Sequence, residues 1–88
     1  MRAKRLAGKT LTVIRWEFVR GTERMTCEVD READGTTGGP FAVVSLPYQR
    51  LQQASIEVFE NAIAALRRHA AVASDLRATG WKLVAYTS

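Results

Sequence analysis

The stretch PYQRLQQASIEVFENAIAALRRHAAVASDLRATG, residues 47–80, decides the fold, because beyond Pro47 the apolar spacing changes from period 2 to period 3.6. Projected at about 100° per residue, Tyr48, Leu51, Ser55, Val58, Phe59, Ala62, Leu66, Ala70, Ala73 and Leu76 gather on one side. Arg50, Gln53, Glu57, Glu60, Arg68 and Asp75 fall opposite. The pattern predicts one long amphipathic helix, rich in good helix formers, with Pro47 at its start and Gly80 at its stop.

Upstream of Pro47 the reading is β. Between Thr10 and Arg20, Thr12, Ile14, Trp16 and Phe18 share one face at period 2, and Leu11, Val13, Arg15, Glu17 and Val19 share the other. Gly21 and Thr22 supply a turn, after which Met25, Cys27 and Val29 alternate with Thr26, Glu28 and Asp30, so the two runs predict a hairpin. The segment 33–40, ADGTTGGP, is a loop by composition, and Phe41 to Leu46 is an apolar run of strand length. Downstream of the helix, Trp81 to Thr87 returns to β-rich composition. The expected fold is therefore α+β, in the order β-β-β-α-β: an antiparallel sheet of about four strands with one long amphipathic helix packed on one face. Residues 10–88 form the domain and residues 1–9 a basic N-terminal arm.

The expected helix is too long for its domain. Some thirty residues at 1.5 Å rise reach about 45 Å, whereas a compact domain of this size is about 30 Å across. Its apolar sector is also wide, since Ala54, Ile56, Ile63 and Val72 extend it to about half the circumference, beyond the stripe of about 100° that one sheet covers. Surplus apolar helix surface predicts self-association, most simply a homodimer, with Ile56, Ile63, His69 and Val72 as interface candidates. The alternative is a break between His69 and Ser74, with Ser74 capping a short last helix.

Composition bounds the function. The 88 residues are 47% apolar and 25% charged, values of one small globular domain rather than of a disordered, collagenous or membrane chain. The formal net charge of +4 is carried by Arg2, Lys4, Arg5 and Lys9, since residues 10–88 hold nine bases and nine acids. A neutral body is a poor electrostatic footprint for nucleic acid, although a basic arm adds sequence-independent attraction to phosphates. A solvated terminus explains the arm equally well. The single Cys27 excludes an internal disulfide and a multi-cysteine zinc site, and its strand position is that of a packing residue. Lys9, Thr10, Thr12 and Arg15 interrupt the leader, so no signal peptide is expected, and no apolar run approaches the roughly 20 residues that span a bilayer. The expected compartment is the cytoplasm.

The chemistry-bearing patterns are few. His69 projects onto the apolar face of the helix, where an imidazole serves as a packing group, an interface contact or, in a dimer cleft, a general base. Asp30, Glu32, Asp34 and Gly35 open like a calcium loop, but its twelfth position, which needs a bidentate glutamate, is Phe41. A solvated strand face running into a turn accounts for the same acids. Gly35 to Gly39 resembles a phosphate cradle only weakly, because no lysine follows and a strand rather than a helix comes next. Arg67 and Arg68, with aromatics on the strands, could bind a single strand by stacking, unless the helix covers Trp16 and Phe18. No cofactor is implied.

The order of three strands, a helix and a last strand is similar to HicB-type antitoxins over residues 10–88, with Leu46, Pro47 and Tyr48 standing where those proteins carry a proline-glycine link. That resemblance implies a topology and transfers no functional residue. The function expected is that of a small non-catalytic protein-interaction module that self-associates, with a further protein as possible partner and no membrane. The alternatives are a nucleic-acid-binding or antitoxin-like protein using Arg2, Lys4, Arg5, Lys9, Arg67 and Arg68, and a small dimeric enzyme with a cleft around His69.

Overall fold

The computed structural model describes residues 10–32 and 40–87. The basic arm, the glycine loop and Asp34 of the calcium-like pattern lie outside the described residues. Strands β1 (Thr10–Arg20), β2 (Glu23–Glu32) and β3 (Phe41–Pro47) form a meander. A 3-10 turn (Leu51–Gln53) leads to β4 (Ser55–Phe59), helix α1 (Ala62–Ala78) and β5 (Lys82–Thr87). The five strands make one antiparallel sheet in the order β4-β3-β2-β1-β5. The class is α+β, with the single helix laid on one face of the sheet.

Period 2 sorts the two faces. Trp16, Phe18, Met25, Cys27, Val29 and Val43 point under α1, which answers with Ala65, His69, Val72, Ala73 and Leu76. The alanines at the closest positions let the helix backbone approach the sheet, while Phe18, Val29 and Val43 fill the space between. The open face carries Arg15, Glu17, Thr26, Glu28 and Asp30 on β1 and β2, and Ala42, Val44, Leu46, Ile56 and Val58 on β3 and β4. A bulge at Val13 changes the expected β1 pattern. Thr12 pairs with Asp30 while Ile14 pairs with Val29, so Thr12 leaves the face of Trp16 and Phe18, and Val13 packs against the core.

The helix is shorter than the sequence pattern predicts, and the sheet gains a strand. Ser55–Phe59 alternates as well as it winds. Ile56 and Val58 are β-branched, and β3 offers an edge on which Val58 sits opposite Ala42 and Phe59 opposite Phe41. Tertiary pairing decides between two periods that five residues cannot separate. The helix then starts at Asn61, whose side-chain Oδ1 accepts from the Ala64 N–H at 2.9 Å. It runs unbroken through His69–Ser74, where a break was the alternative, and its 17 residues span about 25 Å. It therefore does not overhang, and Ala54 and Ile56 do not belong to its apolar sector. The extra strand also removes the three-strand, helix, strand order shared with HicB-type antitoxins.

The helix end fits the expected stop at Gly80. Trp81 N–H donates to the Leu76 carbonyl and Gly80 N–H to that of Arg77, with Gly80 at φ +96°. This is a Schellman motif, closed by the apolar pair Trp81 and Leu76. Because α1 leaves from the β4 edge near Phe59 and delivers the chain to the β5 edge opposite Val19, it crosses the sheet diagonally. A diagonal helix leaves corners of its face uncovered, and one of them is a cleft.

Candidate functional site

The cleft is built at the β1–β2 turn. Gly21, at φ +61°, makes the tight reversal that a side chain would strain, and it places Arg20 three residues from Glu23 across the turn. The Arg20 Nε and Nη2 both donate to Glu23 Oε1, at 3.2 and 3.0 Å, and Nη1 donates to the Thr79 carbonyl at the helix end, at 3.0 Å. The same guanidinium lies 4.6 Å above the ring of Trp81.

The chain after β3 closes the other side. Tyr48 N–H donates to the Arg24 carbonyl at 2.9 Å, Gln49 Oε1 accepts from Arg24 N–H at 3.0 Å, and Gln49 Nε2 donates to the Thr22 carbonyl at 3.1 Å. So clamped, the segment brings Arg50 Nη2 to 2.9 Å from Glu23 Oε2. Between these walls lies an open cavity of about 250 Å³. Arg20 and Arg50 rim it, the Arg24 backbone forms part of its wall, and Met25, Pro47 and Trp81 supply its apolar lining. Glu23 is the one acid among its lining residues. The Arg24 side chain, next to core-facing Met25, turns to the open face of the sheet, where Nη1 forms an ion pair with Glu17 at 3.7 Å.

The residues singled out by sequence are scattered. His69 is 2% exposed, inside the core, with Nε2 3.0 Å from the Cys27 carbonyl and its ring edge-on to Trp16 at 4.7 Å. A carbonyl only accepts, so Nε2 carries the proton. Val72 packs against the same core, whereas Ile56 is 66% and Ile63 64% exposed, the first on β4 and the second on α1. The four are not one surface. Arg68 Nε bonds Glu57 on β4 at 2.7 Å, and Arg67 is exposed on α1. Trp16 and Phe18, the proposed stacking platform, lie on the face that α1 covers.

Burial shifts the titration of three further side chains. Burial pushes the Cys27 thiol up, and the Ser45 hydroxyl is its neighbour at 3.8 Å. On the open face, burial raises the Asp30 and Glu28 carboxyls, while Thr12 hydrogen bonds and the Arg15 charge oppose the rise. Asp30 Oδ1 is buried with no hydrogen-bond partner among the described residues. Among the described residues no three His, Cys, Asp or Glu side chains are grouped to hold a metal ion, and no helix is long and apolar enough to cross a membrane.

Sequence reasoning passed over Arg20, Glu23 and Arg50 as a site and read Trp81 only as one of the aromatics on the strands. The pair Arg20 and Glu23 across a two-residue turn was a readable signal. Nothing local indicates that Arg50, 27 residues away, meets Glu23. Comparison with protein-family models, with curated proteins and with solved structures finds no match.

Proposed function

We propose that this protein is a small non-catalytic interaction module that self-associates through β5. The observation that carries the reading is the outer edge of β5, a six-residue strand on which Val84 is 54% and Tyr86 71% exposed. The strand holds neither a proline nor a central charge, and its one irregularity is a bulge at Val84, between the pairs Glu17–Ala85 and Phe18–Leu83. A two-fold axis between Val84 and Ala85 sets Lys82 opposite Thr87 and Leu83 opposite Tyr86, a register without like-charge contact. The opposite edge is less suited, because a two-fold through the middle of β4 sets Glu57 against its own copy.

The two side chains best suited to act as base and nucleophile are packed in the core. His69, the chain's one histidine, is sealed under the helix, and Cys27, its one cysteine, is buried beneath the same helix. The cleft offers guanidiniums, amides, the Ser45 hydroxyl and a carboxylate already paired with Arg20 and Arg50. The expectation of self-association thus shifts from the surplus helix surface to a sheet edge.

Light scattering coupled to size exclusion, at low and high salt, tests the reading. The expected result is twice the chain mass at both salts, reduced to one chain mass by Val84→Lys, which alters a side chain already facing solvent. A monomer in the unaltered protein, or a Val84→Lys protein of unchanged mass, overturns it.

A further inference from the structure

We propose that the open face of the sheet is a docking surface for the chain's own basic segment, residues 1–9, which turns back before Thr10 and lays Leu6 over Ala42 and Val58 with its basic side chains beside the acids of β2. The inference is independent of β5 pairing, which uses an edge of the sheet and not this face.

Burial is the first argument. Ala42 is 1% exposed yet lies outside the core cluster under α1, and Asp30 Oδ1 is buried with no hydrogen-bond partner among the described residues. Strand register sets both residues on the open face, in one row with Val58 and Thr12. No described element crosses that row. Helix α1 occupies the opposite face, and the chain after β3 is clamped to the β1–β2 turn at the other end of the strands. A buried alanine and a buried, unpaired oxygen on a face otherwise open point to a cover.

Charge chooses the occupant. At this end the open face carries Glu28, Asp30 and Glu32 against Arg15, whereas Glu17, nearer the turn, is paired with Arg24. Residues 1–9 hold Arg2, Lys4, Arg5 and Lys9 with no acid, and so the whole net charge of +4. The two signs meet where the segment joins the sheet, since Thr10, the first residue of β1, stands opposite Glu32. The apolar half of the face is matched as well. Ala42, Val58, Val44 and Ile56 lie beside the acids, and the segment offers Leu6 between two alanines and its bases.

Length permits the contact. Gly8, two residues before the strand, gives the backbone the freedom that a reversal onto the face needs. Six residues beyond the reversal span about 20 Å when extended. The distance from β1 across to β4 is three strand spacings, about 14 Å, and from Glu32 to Glu28 along β2 about 13 Å. The segment therefore reaches both the acids and the apolar row.

The test is a spin-label measurement by nuclear magnetic resonance on the full chain. Ala3→Cys places a reactive thiol in the segment, while Cys27, fully buried, stays unlabelled. With the label oxidised, the amides of Asp30, Ala42, Val44 and Val58 are expected to lose most of their intensity and to regain it on reduction. Those of Arg67, Ala71 and Ser74, on the outer side of α1, are expected to stay sharp. Lys4→Glu combined with Arg5→Glu reverses two charges and leaves every described contact in place, so the variant should fold, and it is expected to restore the open-face signals. A mixture of spin-labelled protein with isotope-labelled protein that carries no spin label separates the chain's own segment from that of a second copy, and its signals are expected to stay sharp. Light scattering on the same samples reads β5 pairing separately. The proposal is overturned if the open-face signals stay sharp in the labelled chain, if α1 loses intensity equally, if the loss survives the charge reversal, or if the mixture shows the same loss.

Discussion

His69 contributes as a core residue with one polar obligation. Its Nε2–H is the donor for the Cys27 carbonyl on a central strand, and its ring fills the space beside Trp16. Replacement by alanine leaves that carbonyl contact unmade and opens a cavity, and should cost about 2–4 kcal/mol in urea unfolding at neutral pH. A loss below about 0.5 kcal/mol would show that the ring is not sealed as described. Asp30 gives the opposite sign. Its folded carboxyl titrates above the ordinary aspartate range because burial disfavours the charge, so the folded state holds its proton longer than the unfolded chain does. Stability is therefore greatest below the ordinary aspartate range and falls as pH rises through the folded value. Asp30→Asn should raise the melting temperature at pH 7 and lose that advantage in acid; a variant that melts lower than the parent at pH 7 contradicts the sign. The placement of His69 and Cys27 in the core was legible, because each sits on an apolar face at the proper period. The acid cluster was legible as a strand face but not as half-buried, since only the pairing of β1, β2 and β3 crowds it.

At the level of elements, the caps of α1 are stronger signals than its apolar stripe. Asn61 bonds Ala64, Gly80 takes the left-handed conformation, and between them lie the 17 residues that are helical. Asn61→Ala should cost about 1 kcal/mol. Gly80→Ala should also cost about 1 kcal/mol, from backbone strain alone, since its added Cβ would meet only Arg20 Cδ at an ordinary 3.5 Å. Chemical denaturation reads both, and equal stability of either variant would mean that the cap in question is not formed. The stripe from Tyr48 onward ran through β4 because Val58 and Phe59 satisfy either period, and the choice rests on an edge of β3 some 15 residues upstream. Gly80 and the β1–β2 hairpin were readable because turn and stop chemistry is local. Arg50 beside Glu23 was not, because that contact exists only after β3 has paired with β2.

For the whole molecule, an 88-residue sheet covered on one face has little apolar area to spare, and a domain of this size is marginal when it folds alone. Pairing across β5 would bury Val84 and Tyr86 and extend the ladder, so part of the folding free energy would be association. Mass action then makes stability depend on concentration: each tenfold rise in protein adds about 1.4 kcal/mol per dimer, or about 0.7 kcal/mol per chain. For a chain of this length that raises the melting temperature by about 3–5 °C. Val84→Lys should melt lower than the parent and at one temperature at every concentration, because a monomer has no association term. The proposed interface would be an extended ladder with apolar side chains, so high salt should leave the dependence on concentration intact. A melting temperature of the unaltered protein that stays constant over two decades of concentration would place the folding unit in the single chain and remove β5 pairing as its partner surface.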